Sequence, residues 1–381
     1  MTKVLVVDDS ALMRRLISGV LTEAGFEVQI ARNGVEGVQR LTEWQPDVVT
    51  LDINMPEMDG LTALSLIMRA RPTPVVMVSS LTEKGAQATF EALALGAVDF
   101  IAKPGGTISL TVDDIADQLI AKVRAASRSR MRRPAPATGA AGPTAAAGPA
   151  PAAPRPARPA VPPLPPIGPG AAESGTAGRL RNATPAAAAR CPGIVLVGVS
   201  TGGPRTLEDI LPELPADFPW AILICQHMPA NFTDAFARRM DKLCRLRVSE
   251  VNTTLPVEGG RIYIGQGGTD LVVVERLGRI AAQPRPETAG HPWHPSVDVM
   301  VDSALALLPP QQLVGVQLTG MGNDGAAAMT RLKQRGGRTI AESEETAVVF
   351  GMPNELIELG GASLVLPCHG IARQLQHWMR R

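Results

Sequence analysis

Short apolar runs and amphipathic stretches alternate through the first 125 residues. KVLVVDD, FEVQIA, DVVTLD, PVVMVSS and DFIAKP each read as a short buried strand. Between them, apolar residues recur at helical spacing from Met13 to Leu21 (ending near Gly25), over Val35–Glu43, after Gly60, over Ala86–Leu95, and from about Val112. Continuously apolar strands, each followed by such a helix, predict a five-stranded, doubly wound parallel sheet covered on both faces. A second alternation begins at IVLV, which turns into a helix through GVSTGGP with Pro204 as its first residue. AILICQ, Leu313–Leu318 and SLVLPC supply further strands, and LVVVE follows the turn-rich GQGGTD. This predicts a second doubly wound, mainly parallel α/β domain with a β-hairpin, in which Asp270 reads as a hairpin turn residue.

The rhythm stops between the two. From about Ser127 to Arg190 the chain is mostly Pro, Ala, Gly and Arg, a composition that cannot offset the entropy of ordering. The expected division is therefore 1–125, a Pro/Ala/Arg-rich flexible linker over 126–190, and 191–381. Arginines in that stretch face the single acid Glu173, which reads as a solvated basic linker. Net charge over the whole chain is +1 and aromatics are 3%, so neither a nucleic-acid surface nor a base-stacking platform is expected. The four cysteines are scattered without ligand spacing, and the start has no signal-peptide order. No apolar run reaches bilayer length, so a cytoplasmic protein without membrane insertion is expected.

In a parallel sheet, ligands gather beyond the carboxyl ends of the strands. Asp8, Asp9 and Asp52 fall there, with Ser79 and Lys103. Converging carboxylates repel unless a cation intervenes, and an oxygen-only set favours a hard ion such as Mg2+. An accepting carboxylate with a metal, a lysine and a hydroxyl makes a phosphoryl-acceptor site. VVDDS, LDINMPEMDG, VMVSS and DFIAKP resemble the receiver domain of two-component response regulators, which is flavodoxin-like. The resemblance implies Asp52 as the phosphorylated residue and Asp8 and Asp9 as the acids that organise Mg2+. It also implies Ser79 as the switch hydroxyl, Phe100 as the reorienting aromatic and Lys103 as the lysine at the phosphoryl group. Pro56 and Gly60 suit the loop after the acceptor as a rigid and a flexible turn.

GVSTGGP matches G-x-S-x-G literally, which makes Ser200 a candidate nucleophile or, equally on this segment alone, a helix-capping serine. His227 ends the strand AILICQ and Asp324 follows the strand before TGMGNDG. Ser200–Asp324–His369 would give α/β-hydrolase order; Ser200–His227–Asp324 needs only short loops and is preferred. GVSTGGP, ICQHMP, PSVDVM, LTGMGNDGAAA and VVFGMP resemble the effector domain of chemotaxis protein-glutamate methylesterases. The resemblance implies Ser200 as nucleophile, His227 as base, Asp324 as acid, Met321 as a backbone oxyanion donor and Thr201 beside the pocket. Many relatives carry an arginine just before P-S-V-D; here the stretch is HPWHPSVD, with Trp293 and His294 at that place.

Together the two resemblances imply a phosphorylation-regulated hydrolase of glutamate methyl esters on cytoplasmic chemoreceptor segments, which also deamidates receptor glutamines. They imply a chemotaxis histidine kinase as phosphodonor, and no cofactor for the ester chemistry. The rival reading is a response regulator whose second domain is a non-enzymatic binding module, for which no basic recognition helix is visible.

Overall fold

The computed structural model describes residues 1–80, 82–103, 112–129 and 191–379. The first sheet is built from β1 (Lys3–Val7), β2 (Glu27–Ala31), β3 (Val48–Asp52), β4 (Val75–Ser79) and β5 (Asp99–Ala102). Their order is β2-β1-β3-β4-β5 and every pair is parallel. The intervening helices are α1 (Ala11–Glu23), α2 (Gly34–Trp44), α3 (Gly60–Ala70), α4 (Glu83–Leu95) and α5 (Val112–Arg128). Capping explains where they begin. Ser10, Asn33, Asp59 and Thr82 each accept a bond from the N–H three residues on, and at α2 Glu36 returns a carboxylate to Arg32 N–H. Helix α5 runs past the boundary expected at 125. The remainder of the expected linker, 130–190, lies outside the described residues.

The second sheet uses β6 (Ile194–Val199), β7 (Ala221–Gln226), β8 (Arg247–Val251), β10 (Arg261–Gly265), β13 (Leu313–Gln317), β14 (Arg338–Glu342) and β15 (Leu364–Leu366). The order β15-β14-β13-β6-β7-β10-β8 is parallel throughout. Its helices are α6 (Gly203–Ile210), α7 (Ala230–Leu243), α8 (Val297–Leu307), α9 (Ala326–Gln334), α10 (Met352–Glu358) and α11 (Cys368–Met379). Strand β6 has β7 on one side and β13 on the other, so the chain reverses its winding there, which is where parallel α/β sheets bind ligands. A small antiparallel sheet of β9 (Leu255–Pro256), β11 (Asp270–Arg276) and β12 (Arg279–Arg285) stands beside it. Its hairpin turn is Leu277–Gly278, both with positive φ as a two-residue turn requires. Asp270 is therefore not the turn residue. It opens β11 opposite Arg285 and is fully buried.

The receiver-like sheet and the second sheet share one continuous buried apolar cluster. Phe100 of β5 packs on Phe232 of α7 with ring centroids 4.4 Å apart, and Phe90 of α4 stacks on Phe236 at 5.4 Å. Four aromatics buried in this way stabilise the contact by area and by ring geometry. A polar bond crosses the same seam, with Thr201 Oγ1 donating to Asp99 Oδ2 at 2.6 Å. Among the described residues no helix is long and apolar enough to cross a membrane.

Candidate active site

Two constellations stand at strand ends. At the first sheet, Lys103 Nζ is 3.0 Å from Asp8 Oδ2 and 2.8 Å from Asp52 Oδ2. Asp8, Asp9 and Asp52 each offer a carboxylate oxygen within 4.8 Å of the others, and Asp8 and Asp52 are buried. Burial pushes the Asp52 carboxyl up, Lys103 opposes that, Asp8 adds to it, and the net direction is up. Lys103 moves up as well: burial alone would lower it, but the two acids outweigh burial. Three acids against one lysine leave negative charge in excess, and the all-oxygen donor set fits a hard divalent cation. Gly60 is required by close approach rather than by flexibility, because a Cβ there would stand 2.0 Å from the Asp52 carbonyl oxygen. Ser79 Oγ is buried and donates to Gly85 O at 3.2 Å, so its hydroxyl is engaged by α4. Phe100 is buried in the aromatic seam.

At the second sheet, the β6–β7 register pairs Val199 with Gln226, which sets Ser200 beside His227 just past the strand ends. His227 N–H donates to Val199 O at 3.0 Å, and Ser200 N–H donates to Thr319 O beyond β13 at 2.9 Å. Gln226 Nε2 bridges the carbonyls of Ser200 and His227 at 3.0 and 3.2 Å. Helix α6 begins at Gly203, one residue before Pro204, and Gly202 takes φ 79°, a left-handed conformation that glycine adopts without strain.

His227 Nε2 lies 2.8 Å from Asp324 Oδ2. Asp324 also accepts from Val297 N–H at 2.7 Å, Asp298 N–H at 3.0 Å and Ser296 Oγ at 3.0 Å. It thus sits on the N-terminal end of α8, where a negative charge is favoured. Burial pushes its carboxyl up, but the bond and charge of His227 and the two backbone N–H groups win, and the carboxyl is held low. An ionised Asp324 can only accept, so the neutral imidazole carries its proton on Nε2 and has its lone pair on Nδ1. Nδ1 is buried and makes no hydrogen bond among the described residues. The ring is used in the opposite sense to the usual serine-protease arrangement, in which Nδ1 meets the acid.

His369 and His377 lie exposed on α11, and the histidine that meets Asp324 is His227 rather than His369. Thr201 is buried against the seam, with its carbonyl accepting from Thr319 Oγ1 at 2.8 Å. The Met321 N–H is engaged by no bond within the described residues. His291, Asp298 and Asp324 each offer a ligand atom within 4.8 Å of the others. Both Asp324 oxygens in that group already accept hydrogen bonds from protein donors. Sequence reasoning missed Gln226, Ser296 and Asp270. The only signal for Ser296 was its place as an N-cap before an apolar run.

The combination defines a class: a receiver bearing a phosphoryl-acceptor-type acid cluster, joined to a parallel α/β domain with a Ser–His–Asp group of hydrolytic type. Residues 4–112 match the response regulator receiver domain and residues 195–375 match the family described as CheB methylesterase. The protein-glutamate methylesterase/protein-glutamine glutaminase 3 of Rhodospirillum rubrum is 51% identical over 389 residues, covering 100% of this chain and 97% of its own. Its namesake 2 from Rhodopseudomonas palustris is 48% identical over 382 residues, covering 99% and 98%. The solved methylesterase catalytic domain of Thermotoga maritima CheB is 39% identical, covers 49% of this chain and 97% of its own, and gives a TM-score of 0.47. The chain belongs to the protein-glutamate methylesterase/protein-glutamine glutaminase family.

Proposed function

We propose that this chain is a phosphorylation-regulated serine hydrolase that removes methyl groups from glutamate methyl esters of chemoreceptors, releasing methanol, and deamidates receptor glutamines to glutamate. Ser200 Oγ attacks the ester carbonyl while His227 Nδ1 takes its proton. The Met321 N–H donates to the oxyanion, Thr201 borders the pocket, and Asp324 stabilises the imidazolium. Collapse of the tetrahedral species expels methanol with the proton from His227, and water cleaves the glutamyl ester by the same steps. With an amide the leaving group is ammonia and the product is again glutamate. The observation that carries this reading is the 2.8 Å His227–Asp324 bond beside Ser200, with Nδ1 left as an acceptor. Methanol release from methyl-labelled receptor membranes tests it. Loss of release in Ser200→Ala is expected, and unchanged release in that variant would remove Ser200 from the mechanism.

At the receiver, Asp52 is the proposed phosphoryl acceptor from a chemotaxis histidine kinase, and Asp8, Asp9 and Asp52 would hold Mg2+. When bound, the ion supplies positive charge against the phosphoryl oxygens. Strand β5 supports a direct coupling of the two sites. Lys103 follows it at the acid cluster, Phe100 packs on Phe232, and Asp99 accepts from Thr201, the neighbour of Ser200. Phosphorylation of Asp52 draws Ser79 from Gly85 O and Lys103 toward the new group, which loosens β5 from the second sheet and opens the hydrolytic site. We read the protein as cytoplasmic, with a receiver that extends through α5 to Arg128, a linker from there to 190 and a catalytic domain over 191–381.

A further inference from the structure

The segment HPWHP is pinned at its C-terminal side. His294 Nδ1 lies 2.9 Å from Asp270 Oδ1, and Ser296 N–H donates to the same oxygen at 3.0 Å. Asp270 Oδ2 also accepts from Thr288 N–H at 2.8 Å, which ties down the chain three residues before the segment begins. His294 is thereby committed to Asp270. Trp293, between the pinned points, lies flat on His227: the ring centroids are 5.1 Å apart and the planes differ by 7°. Its Nε1 is 3.8 Å from where a Cβ on Gly322 would stand, so the indole spans from the imidazole to the loop that carries Met321.

Asp324 holds His227 through one ring nitrogen. Between that bond and the covalent link at Cγ the ring plane can still turn, which would move Nδ1, the nitrogen proposed to take the Ser200 proton. A parallel, offset aromatic face opposes that swing, because turning the overlapped edge toward it brings the imidazole against the indole. The same π-face attracts positive charge, and His227 becomes positive only once it has taken the serine proton. The two effects act on the reacting state rather than on binding.

We propose that Trp293 is a positioning residue for the general base, holding the His227 plane so that Nδ1 faces Ser200; this rests on the hydrolytic reading of Ser200, His227 and Asp324. The test uses the full chain and a small alkyl fluorophosphonate, in which the Ser200 Oγ–P bond forms, fluoride leaves and the proton passes to His227. Labelling rate against probe concentration separates the maximal rate from half-saturation. Trp293→Leu is expected to lower the maximal rate about tenfold with half-saturation unchanged, and Trp293→Phe to stay within about threefold of the parent. Thermal unfolding checks that each variant is folded, and Trp293→Met replaces the leucine variant should the latter unfold. A non-aromatic variant labelling at the parent rate, a phenylalanine variant as slow as leucine, or a change confined to half-saturation would each overturn the proposal. Labelling of Ser200→Ala at the parent rate would instead bring down the hydrolytic reading itself, an outcome the Trp293 variants cannot produce.

Discussion

Asp52 and Asp324 both stand at the carboxyl end of a parallel sheet, both are buried, and their surroundings drive them in opposite directions. Around Asp52, burial and the neighbouring Asp8 outweigh Lys103 and raise the carboxyl. Around Asp324, His227 and the N–H groups opening α8 outweigh burial and lower it. The first acid is held in an environment short of positive charge, which a cation and then a covalent change can relieve. The second is supplied with donors at every oxygen and has nothing left to gain. A site proposed to be modified and a site held ionised thus use the same residue type at the same place in the same kind of sheet, and differ in what the adjoining backbone offers.

The largest effect expected from breaking this contrast is chemical. Asp324→Asn should lower methanol release by about three to four orders of magnitude, because an amide can donate to Nε2 and spoil the tautomer. Steady-state rates on methylated receptor membranes check it, and a loss below tenfold would detach Asp324 from the base. Next comes the coupling. Asp99→Ala removes the acceptor of Thr201 Oγ1 and a partner of Lys122, so unstimulated release should rise a few-fold while stability falls by about 1–3 kcal/mol. Unchanged unstimulated release would take that bond out of the coupling.

The pH dependence of stability separates the two acids by sign. A raised carboxyl adds stability that is full below its unfolded value and is lost as pH rises through the folded one. At neutral pH the ionised Asp52 is therefore a cost, and Asp52→Asn should raise the unfolding midpoint at pH 7 more than at pH 4. A lowered carboxyl adds stability that is present above its unfolded value and is lost as pH falls through the folded one. Asp324→Asn should therefore destabilise at pH 7, with the loss shrinking in acid below the ordinary carboxylate range. Thermal scans of both variants across pH check this; shifts of the same sign would erase the contrast. The smallest effect is metal binding. Mg2+ should raise the unfolding midpoint of the parent by about 1–3 °C, and Asp9→Asn should reduce that rise.

Much of this was legible in the chain. Apolar runs such as KVLVV and AILICQ carry their own period, and a parallel sheet brings their ends together, so Asp8, Asp52, Ser200 and His227 could be grouped without coordinates. The apolar spacing located the first helices only to within a few residues; their starts are fixed by the capping side chains of Ser10, Asn33 and Asp59. Contacts made across long stretches of chain were not legible. The Thr201–Asp99 bond joins residues 102 apart, and nothing in the sequence near either one specifies the other. Asp270 looked like a turn former because its neighbours are Gly and Thr; its burial beneath HPWHP comes from the packing of β11 against α8. The reversed use of the His227 ring is likewise set by α8, whose N-terminal end fixes where the Asp324 carboxylate must lie.

On the proposed reading, the state of Asp52 governs the chemistry at Ser200. The most direct measurement of that control is methanol release from methylated receptor membranes before and after a small phosphodonor with Mg2+, for the parent chain and for Asp52→Asn. A rise in the parent that is absent from Asp52→Asn is the expected result. Equal rates in all four samples, with Ser200→Ala inactive, would leave the hydrolase standing and contradict its control by the receiver.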